Sequence, residues 1–158
     1  MKNTKEALEW ILNILRKNKI PFRISGGFAA KIYGSKRKLA DIDIEVNNKN
    51  IKKIFPFVKK YVIYGPKRYR DGDFNLFLMN LKFKGQEIDI YGKNDLQILD
   101  KVNNTWVKEK INLNKFTKKK VYGLTIPLVP LKEVISYKEK IRRNVDLIDI
   151  KNLLNRQT

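Results

Sequence analysis

Two stretches of the chain alternate apolar and acidic residues with the period of a β-strand. They are residues 41–46 (DIDIEV) and residues 86–91 (QEIDIY). Because successive side chains on a strand point to opposite faces, the isoleucines of each stretch share one face and the carboxylates share the other. The apolar face can pack on a core. The acidic face gains nothing from burial, so we expect it to have a chemical use.

The other patterns along the chain predict the remaining elements. Asn3 and Glu6 form a capping-box-like start for the first helix. Apolar residues three and four apart predict helices, and short apolar runs between turn residues predict strands. The predicted helices cover residues 4–18, 28–33, 51–60, 96–102, 131–142 and 145–154, and the predicted strands cover 20–24, 41–46, 61–64, 74–83, 86–91, 106–116 and 121–126. We expect a polar link at residues 65–73 and a lysine-rich turn at 118–120.

A pair of glycines separates the first predicted strand from a short helix. Gly26 and Gly27 have no side chains, so their backbone N–H groups can approach an anion closely. The N-terminus of the helix that they open adds a favourable dipole for negative charge. Gly34-Ser35 is an alternative turn, but it leaves too few residues before Asp41 to hold a helix. We therefore expect the anion-binding turn at Gly26 and Gly27.

The first acidic strand places two carboxylates close enough to share a ligand. Same-face residues on a strand are roughly 6.5–7 Å apart, so Asp41 and Asp43 can aim at one point. Their charges repel each other and raise the pKa of one carboxylate unless a cation lies between them. Mg²⁺ or Mn²⁺ prefers oxygen ligands, and Mg²⁺ often completes its shell with substrate phosphates. A phosphate-binding turn beside such a pair predicts phosphoryl or nucleotidyl transfer.

In type and order, these motifs resemble the nucleotidyltransferase superfamily typified by DNA polymerase beta. Its signature is a Gly-Gly or Gly-Ser turn, a short helix, an Asp-x-Asp strand and a third carboxylate on a later strand, here Asp89. Glu87 is a local alternative, and the resemblance favours Asp89 because it lies between Ile88 and Ile90. The resemblance implies an α+β fold, with a mixed β-sheet flanked by helices and a short C-terminal helical hairpin.

The resemblance also implies roles for individual residues. Asp41, Asp43 and Asp89 would be the catalytic residues and the metal ligands, with Mg²⁺ or Mn²⁺ as cofactor. Ser25 and the two glycines, Gly26 and Gly27, would hold the phosphates of a nucleoside triphosphate (NTP). The reaction would move a nucleoside monophosphate from the NTP to an acceptor hydroxyl and release pyrophosphate.

The C-terminal segment resembles one subgroup, which includes lincosamide nucleotidyltransferases and the nucleotidyltransferase toxins of abortive-infection systems. The matching residues are Lys138, Arg143, Asp146 and Asp149. The resemblance places Lys138 near the nucleotide phosphates, and Lys36 in the basic loop 36–38 is a second candidate counter-charge. As structural alternatives, Asp146 can be a helix N-cap and Arg143 an ion-pair partner.

The composition limits the chemistry further. The 158 residues suit one domain, with a core at about residues 1–92 and an extension at 93–158. The chain has no cysteine and no histidine, which excludes disulfides and imidazole acid–base catalysis. No apolar run is long enough to span a bilayer, so we expect a cytoplasmic protein without a membrane partner.

The net charge favours a polyanionic partner. Lysine and arginine number 35 against 16 acidic residues, and the formal net charge is +19. Because neutralising phosphates releases counterions, such a surface favours an RNA acceptor, for example the 3′ end of a tRNA.

Other acceptors and another class of function are compatible with the sequence. An antibiotic-type small molecule or the protein partner of a toxin–antitoxin pair are alternative acceptors. An inactive, basic nucleic-acid-binding module is the alternative of another class. The three carboxylates argue against it, because an inactive copy has no reason to keep charges that repel one another.

Overall fold

Helices and strands are interspersed along residues 2–157, the part of the chain that this computed structural model describes. The helices are α1 (Thr4–Lys17), α2 (Gly26–Tyr33), α3 (Asn48–Val58), α4 (Leu131–Ile141) and α5 (Asn144–Gln157). The strands are β1 (Arg23–Ser25), β2 (Asp41–Val46), β3 (Val62–Arg70), β4 (Phe74–Phe83), β5 (Gln86–Gly92), β6 (Gln97–Asp100), β7 (Thr105–Lys108), β8 (Thr117–Val121) and β9 (Leu124–Leu128).

The strands of this described region join one mixed sheet. Its order is β7-β6-β4-β5-β2-β1-β9-β8, and β3 pairs with β4 outside that path. At the centre, β2 pairs antiparallel with β1 and parallel with β5. The parallel pair requires a long crossover, which α3, β3 and β4 supply. The predicted α+β class with a mixed sheet flanked by helices is confirmed.

The isoleucine faces of β2 and β5 form the centre of the hydrophobic core. Ile42, Ile44, Ile88 and Ile90 are fully buried in a cluster with the apolar sides of α1 and α3. Burying a side chain of this size stabilises a fold by about 1.5–3 kcal/mol. Because strand side chains alternate, this packing turns the carboxylates of both strands to the opposite face of the sheet.

The predicted C-terminal hairpin lies over that acidic face. Its helices α4 and α5 contact each other and α2. Side chains of α4 line the same cavity as Asp41, Asp43 and Asp89, which places the hairpin across from the triad. Within the described region, no helix combines the length and apolar character that crossing a membrane requires.

The prediction of a polar link at residues 65–73 is wrong. β3 continues to Arg70 and pairs with β4 as far as Asn75, with register shifts on both sides of Tyr64. In the described sheet β4 is the strand that pairs with β3, so β3 is an edge strand, and edge strands tolerate charged side chains and proline. The polar residues that suggested a link are therefore compatible with a strand.

The predictions around residues 96–116 also need correction. Residues 97–100 form strand β6 instead of a helix, and Ile98 and Asp100 are buried in the alternating pattern of a strand. The strand predicted at 106–116 ends at Lys108, where pairing with β6 ends. Both elements depend on pairing partners that are not visible in local sequence.

The lysines at 118–120 lie in strand β8, not in a turn. They pair with β9, and the turn comes later, at Tyr122 and Gly123, whose φ angles are 52° and 79°. The strand predicted at 121–126 therefore spans this turn. The lysine side chains are exposed, which a strand at the edge of a sheet allows.

Candidate active site

The turn between β1 and α2 brings the backbone against a carboxylate. Gly26 has a φ of +59°, in the left-handed region that favours glycine. A Cβ atom at Gly26 would lie 2.3 Å from Oδ2 of Asp43, so a larger residue does not fit there. The backbone N–H of Gly27 donates to the same oxygen at 3.2 Å. The two glycines thus let Asp43 lie against the first turn of α2.

Strand register brings three carboxylates to this turn. Ser25 of β1 is opposite Asp43 of β2, and Asp43 is opposite Asp89 of β5. Asp41, Asp43 and Asp89 each offer a carboxylate oxygen, and these oxygens lie within 4.8 Å of one another. Glu87 is opposite Asp41 but does not belong to the group. The structure therefore brings together the three carboxylates that the sequence predicts as a triad.

The proximity of the carboxylates changes their acidity. Burial, followed by the charges of Asp89 and Asp41, raises the pKa of Asp43 well above its usual value. Burial and the charge of Asp41 raise the pKa of Asp89 to about 6. Burial and the charge of Glu87 raise the pKa of Asp41. All three shifts oppose full ionisation of the triad.

This donor set fits a hard divalent cation. Mg²⁺ and Mn²⁺ prefer carboxylate oxygens, and the triad offers three of them from two adjacent strands. Burial and repulsion raise these pKa values, and a cation among the oxygens would oppose both effects. Its binding and the ionisation of the triad therefore favour each other.

Asn80 is a site residue that the sequence analysis misses. It lies on β4 opposite Asp89, and its Nδ2 atom donates to Oδ1 of Asp89. This hydrogen bond lowers the pKa of Asp89 and so opposes part of the rise that burial causes. The sequence feature that indicates this residue is its position as a single amide inside the apolar run LFLMNL of residues 76–81.

A second polar row lies beside the triad on the same face of the sheet. Arg23 is 1% exposed, and its Nε atom donates to Oε1 of Glu45 at 2.5 Å. Tyr91 donates its hydroxyl proton to Oε2 of Glu45 at 3.2 Å. Because Tyr91 has no other proton to give, Ser25 is the donor in the contact between the two hydroxyls. The Ser25 proton is thus directed at Tyr91.

Lys138 is buried in an ion cluster instead of lining the cavity. Its side chain is 1% exposed, and Nζ lies 3.0 Å from Oδ1 of Asp146 and 3.0 Å from Oδ2 of Asp149. Arg143 also binds Asp146, with Nε at 2.7 Å from Oδ2. The charge of Lys138 still lowers the pKa of Asp43. Lys138 therefore acts on the triad through its electric field and links α4 to α5.

Arg37 is the residue of the basic loop that faces the cavity. Lys36 is exposed and lies outside the lining, whereas Arg37 is part of it. The Nε and Nη2 atoms of Arg37 donate to the two carboxylate oxygens of Asp149, at 3.1 and 2.9 Å. Asp149 thus holds Arg37 at the cavity wall, and the role of Lys36 stays a prediction.

The triad and the glycine turn line part of a cavity of about 830 Å³. This volume is in the range of small-molecule sites. Much of the remaining wall is aromatic or aliphatic and comes from Tyr64, Tyr69, Phe74, Leu76, Leu78, Leu96, Ile111 and Tyr137. The cavity thus joins a charged region to an apolar region.

A glycine turn and a carboxylate triad on a mixed sheet, closed by a C-terminal helical hairpin, define the nucleotidyltransferase fold, and solved structures agree. A protein from Thermotoga maritima with a provisional designation as a nucleotidyltransferase matches with a TM-score of 0.71 at 20% identity, over 99% of this chain and 96% of that one. The lincosamide antibiotic adenylyltransferase LnuA, in its lincomycin-bound structure, matches with a TM-score of 0.64 at 17% identity, over 98% of both chains. No protein-family model and no curated protein sequence gives a match.

Replacing Asp89 by asparagine tests the raised pKa that burial and the charge of Asp41 give this carboxyl group. The pKa of Asp89 rises from 3.8 to about 6, so the folded state holds this proton more tightly than the unfolded chain does. The resulting stabilisation is complete below about pH 4 and is lost as the pH rises through about 6. With a chelator present, Asp89→Asn should therefore exceed the parent in stability near pH 7 by on the order of 2 kcal/mol, and by much less near pH 4. Urea unfolding measures both stability differences. A gain in stability of the same size at both pH values would contradict the raised pKa of Asp89.

Replacing Lys138 by methionine tests the buried ion cluster. The change leaves Asp146 and Asp149 without the cation that they share, so we expect a loss of about 3 kcal/mol in the free energy of unfolding. Lys132→Met, an exposed position on the same helix, is the control and should change stability by less than about 0.5 kcal/mol. Chemical denaturation compares the two variants. If Lys138→Met loses as little stability as Lys132→Met, the ion cluster contributes little to the stability of the fold.

Proposed function

We propose that this protein is a metal-dependent nucleotidyltransferase, which transfers a nucleoside monophosphate from an NTP to a hydroxyl of a small acceptor. The observation that carries the proposal is the convergence of Asp41, Asp43 and Asp89 beside the Gly26-Gly27 turn. An anion-binding helix N-terminus next to a hard-metal site is the combination that an NTP requires. The nucleotidyltransferase fold supports the same function.

Each group at the site has a distinct role in this proposal. Asp41, Asp43 and Asp89 would hold Mg²⁺ or Mn²⁺, which would neutralise phosphate charge and lower the pKa of the acceptor hydroxyl. The backbone N–H of Gly27 holds Asp43 in place. Other N–H groups in the first turn of α2 face the phosphates, because a helix leaves its first N–H groups unpaired.

The chemical step joins the acceptor oxygen to the α-phosphorus of the NTP. The bond between the α-phosphorus and the oxygen that bridges to the β-phosphorus breaks, and pyrophosphate leaves with that electron pair. Asp89 would accept the hydroxyl proton, because its carboxylate is one of the three that converge at the site. Positioning and charge neutralisation supply most of the catalysis in such reactions.

The lining of the cavity favours a small acceptor over RNA. The chain as a whole carries 35 basic and 16 acidic residues, yet the two kinds are nearly balanced along the cavity. The acidic residues there are Asp41, Asp43, Glu45, Asp71, Asp89, Glu109 and Glu133, and the basic ones are Arg23, Arg37, Lys110, Lys132, Lys140 and Arg143. The apolar wall also suits a compact organic molecule better than a polyanion. The excess positive charge lies mainly outside the cavity.

A labelling experiment tests the activity and the acceptor together. The protein is incubated with α-³²P-labelled NTPs, Mg²⁺, and either a panel of hydroxylated small molecules or total RNA. We expect transfer to a small molecule, and a loss of at least ~100-fold in Asp43→Asn, because that change removes a charge at the centre of the triad.

Asp95→Asn is the matched control for this experiment. Asp95 is an exposed aspartate that pairs with Arg68 outside the cavity, so its replacement should leave transfer unchanged. Transfer to RNA in place of small molecules would overturn the acceptor assignment. Salt-sensitive RNA binding without any transfer would instead support a nucleic-acid-binding module.

A further inference from the structure

Arg37 lies against the glycine turn, and its charge reaches Asp41 of the triad. A Cβ atom at Gly27 would be 2.6 Å from Nη2 of Arg37, so the guanidinium lies directly against the backbone of the turn. The charge of Arg37 also contributes to the pKa of Asp41, which it lowers. Arg37 thus borders both the region where an anion would meet α2 and the region where the carboxylates converge.

Asp149 of α5 fixes the orientation of Arg37. Its two oxygens accept from Nε and Nη2 at 3.1 and 2.9 Å, which occupies one edge of the guanidinium. Among the hydrogen bonds within residues 2–157, none uses Nη1 of Arg37. The opposite edge, which carries the N–H groups of Nη1 and the second N–H of Nη2, therefore remains available for another acceptor.

A purely structural role explains this geometry less well. Asp149 is 1% exposed and already receives a hydrogen bond from Ser35 at 2.6 Å and an ion pair from Lys138 at 3.0 Å. Arg37 is a third partner of this carboxylate. Arg37 keeps 21% of its side chain exposed and lies on the cavity wall. A guanidinium held by one edge beside an anion-binding turn matches the paired oxygens of a phosphate.

We propose that Arg37 binds the phosphates of the incoming NTP through its second edge and that Asp149 is the positioning residue for Arg37. This inference rests on the proposed function. It assigns to Arg37 the phosphate contact that the sequence analysis expects of Lys36 and Lys138. It also makes the C-terminal helix α5 part of the nucleotide site, because Asp149 supplies the geometry of the contact.

Nucleotide binding without an acceptor tests the proposal. Calorimetry measures the affinity of the parent for each of the four common NTPs with Mg²⁺, and for the matching nucleosides, which have no phosphate. Arg37→Ala should weaken binding of the preferred NTP by about 10–100-fold, the size expected for a lost charge-assisted contact, and leave nucleoside binding unchanged. Arg37→Lys should keep part of the affinity.

The positioning role of Asp149 needs a separate comparison. Asp149→Asn should weaken NTP binding by about 5–10-fold, and the double variant with Arg37→Ala should be no weaker than Arg37→Ala alone, because both changes remove one contact. Arg68→Ala and Asp95→Asn, an exposed ion pair of the same kind outside the cavity lining, are the matched controls and should bind like the parent.

The outcomes separate this inference from the proposed function. A parent protein that binds no NTP overturns the proposed function. If Arg37→Ala binds NTP as tightly as the parent does, the role of Arg37 is overturned and the proposed function stands. Equal loss of NTP and nucleoside affinity in Arg37→Ala also overturns the phosphate contact. If Asp149→Asn does not fold, Arg37→Ala and Arg37→Lys decide the role of Arg37 by themselves.

Discussion

The site depends on holding three carboxyl groups whose oxygens lie within 4.8 Å of one another. The parallel pairing of β2 with β5 imposes this proximity, because it sets Asp43 opposite Asp89. The other face of the same strands presents isoleucines that are fully buried. A shift of either strand by one residue would expose isoleucines and bury carboxylates, so core packing fixes the register that the repulsion opposes.

The groups around the triad lower the free-energy cost of placing three carboxyl groups together, but they do not remove that cost. The N–H of Gly27 and the amide of Asn80 each donate to one carboxylate, and the buried ammonium of Lys138 acts on Asp43 from a distance. The pKa of Asp43 nevertheless stays well above its usual value. Burial and the residual repulsion both disfavour three ionised carboxylates, and a divalent cation at this position would oppose both effects. The C-terminal hairpin contributes both Lys138 and Asp149, and so it belongs electrostatically to the site.

The parts of the fold that could be predicted are those in which local pattern and tertiary packing agree. The alternation in residues 41–46 and 86–91 reports directly on a buried face and a polar face, which is why both strands could be predicted. The choice of Asp89 over Glu87 as the third carboxylate came from the resemblance to the nucleotidyltransferase superfamily. β6, β8 and the part of β3 after residue 64 were missed because their polar residues become acceptable only after pairing with distant strands. Of the three residues in the basic loop 36–38, Arg37 is the one that lines the cavity, and sequence alone does not show which residue of such a loop faces inward. That choice depends on Asp149, more than a hundred positions later in the chain.

The most direct measurement of the central claim is the location of a bound metal ion. Crystals grown with Mn²⁺ and a non-hydrolysable NTP analogue would show the ion by its anomalous diffraction. The account predicts a manganese peak coordinated by Asp41, Asp43 and Asp89, in contact with the phosphates of the analogue. A nucleotide bound in the cavity with no metal at these three carboxylates, or with its metal held elsewhere, would contradict it.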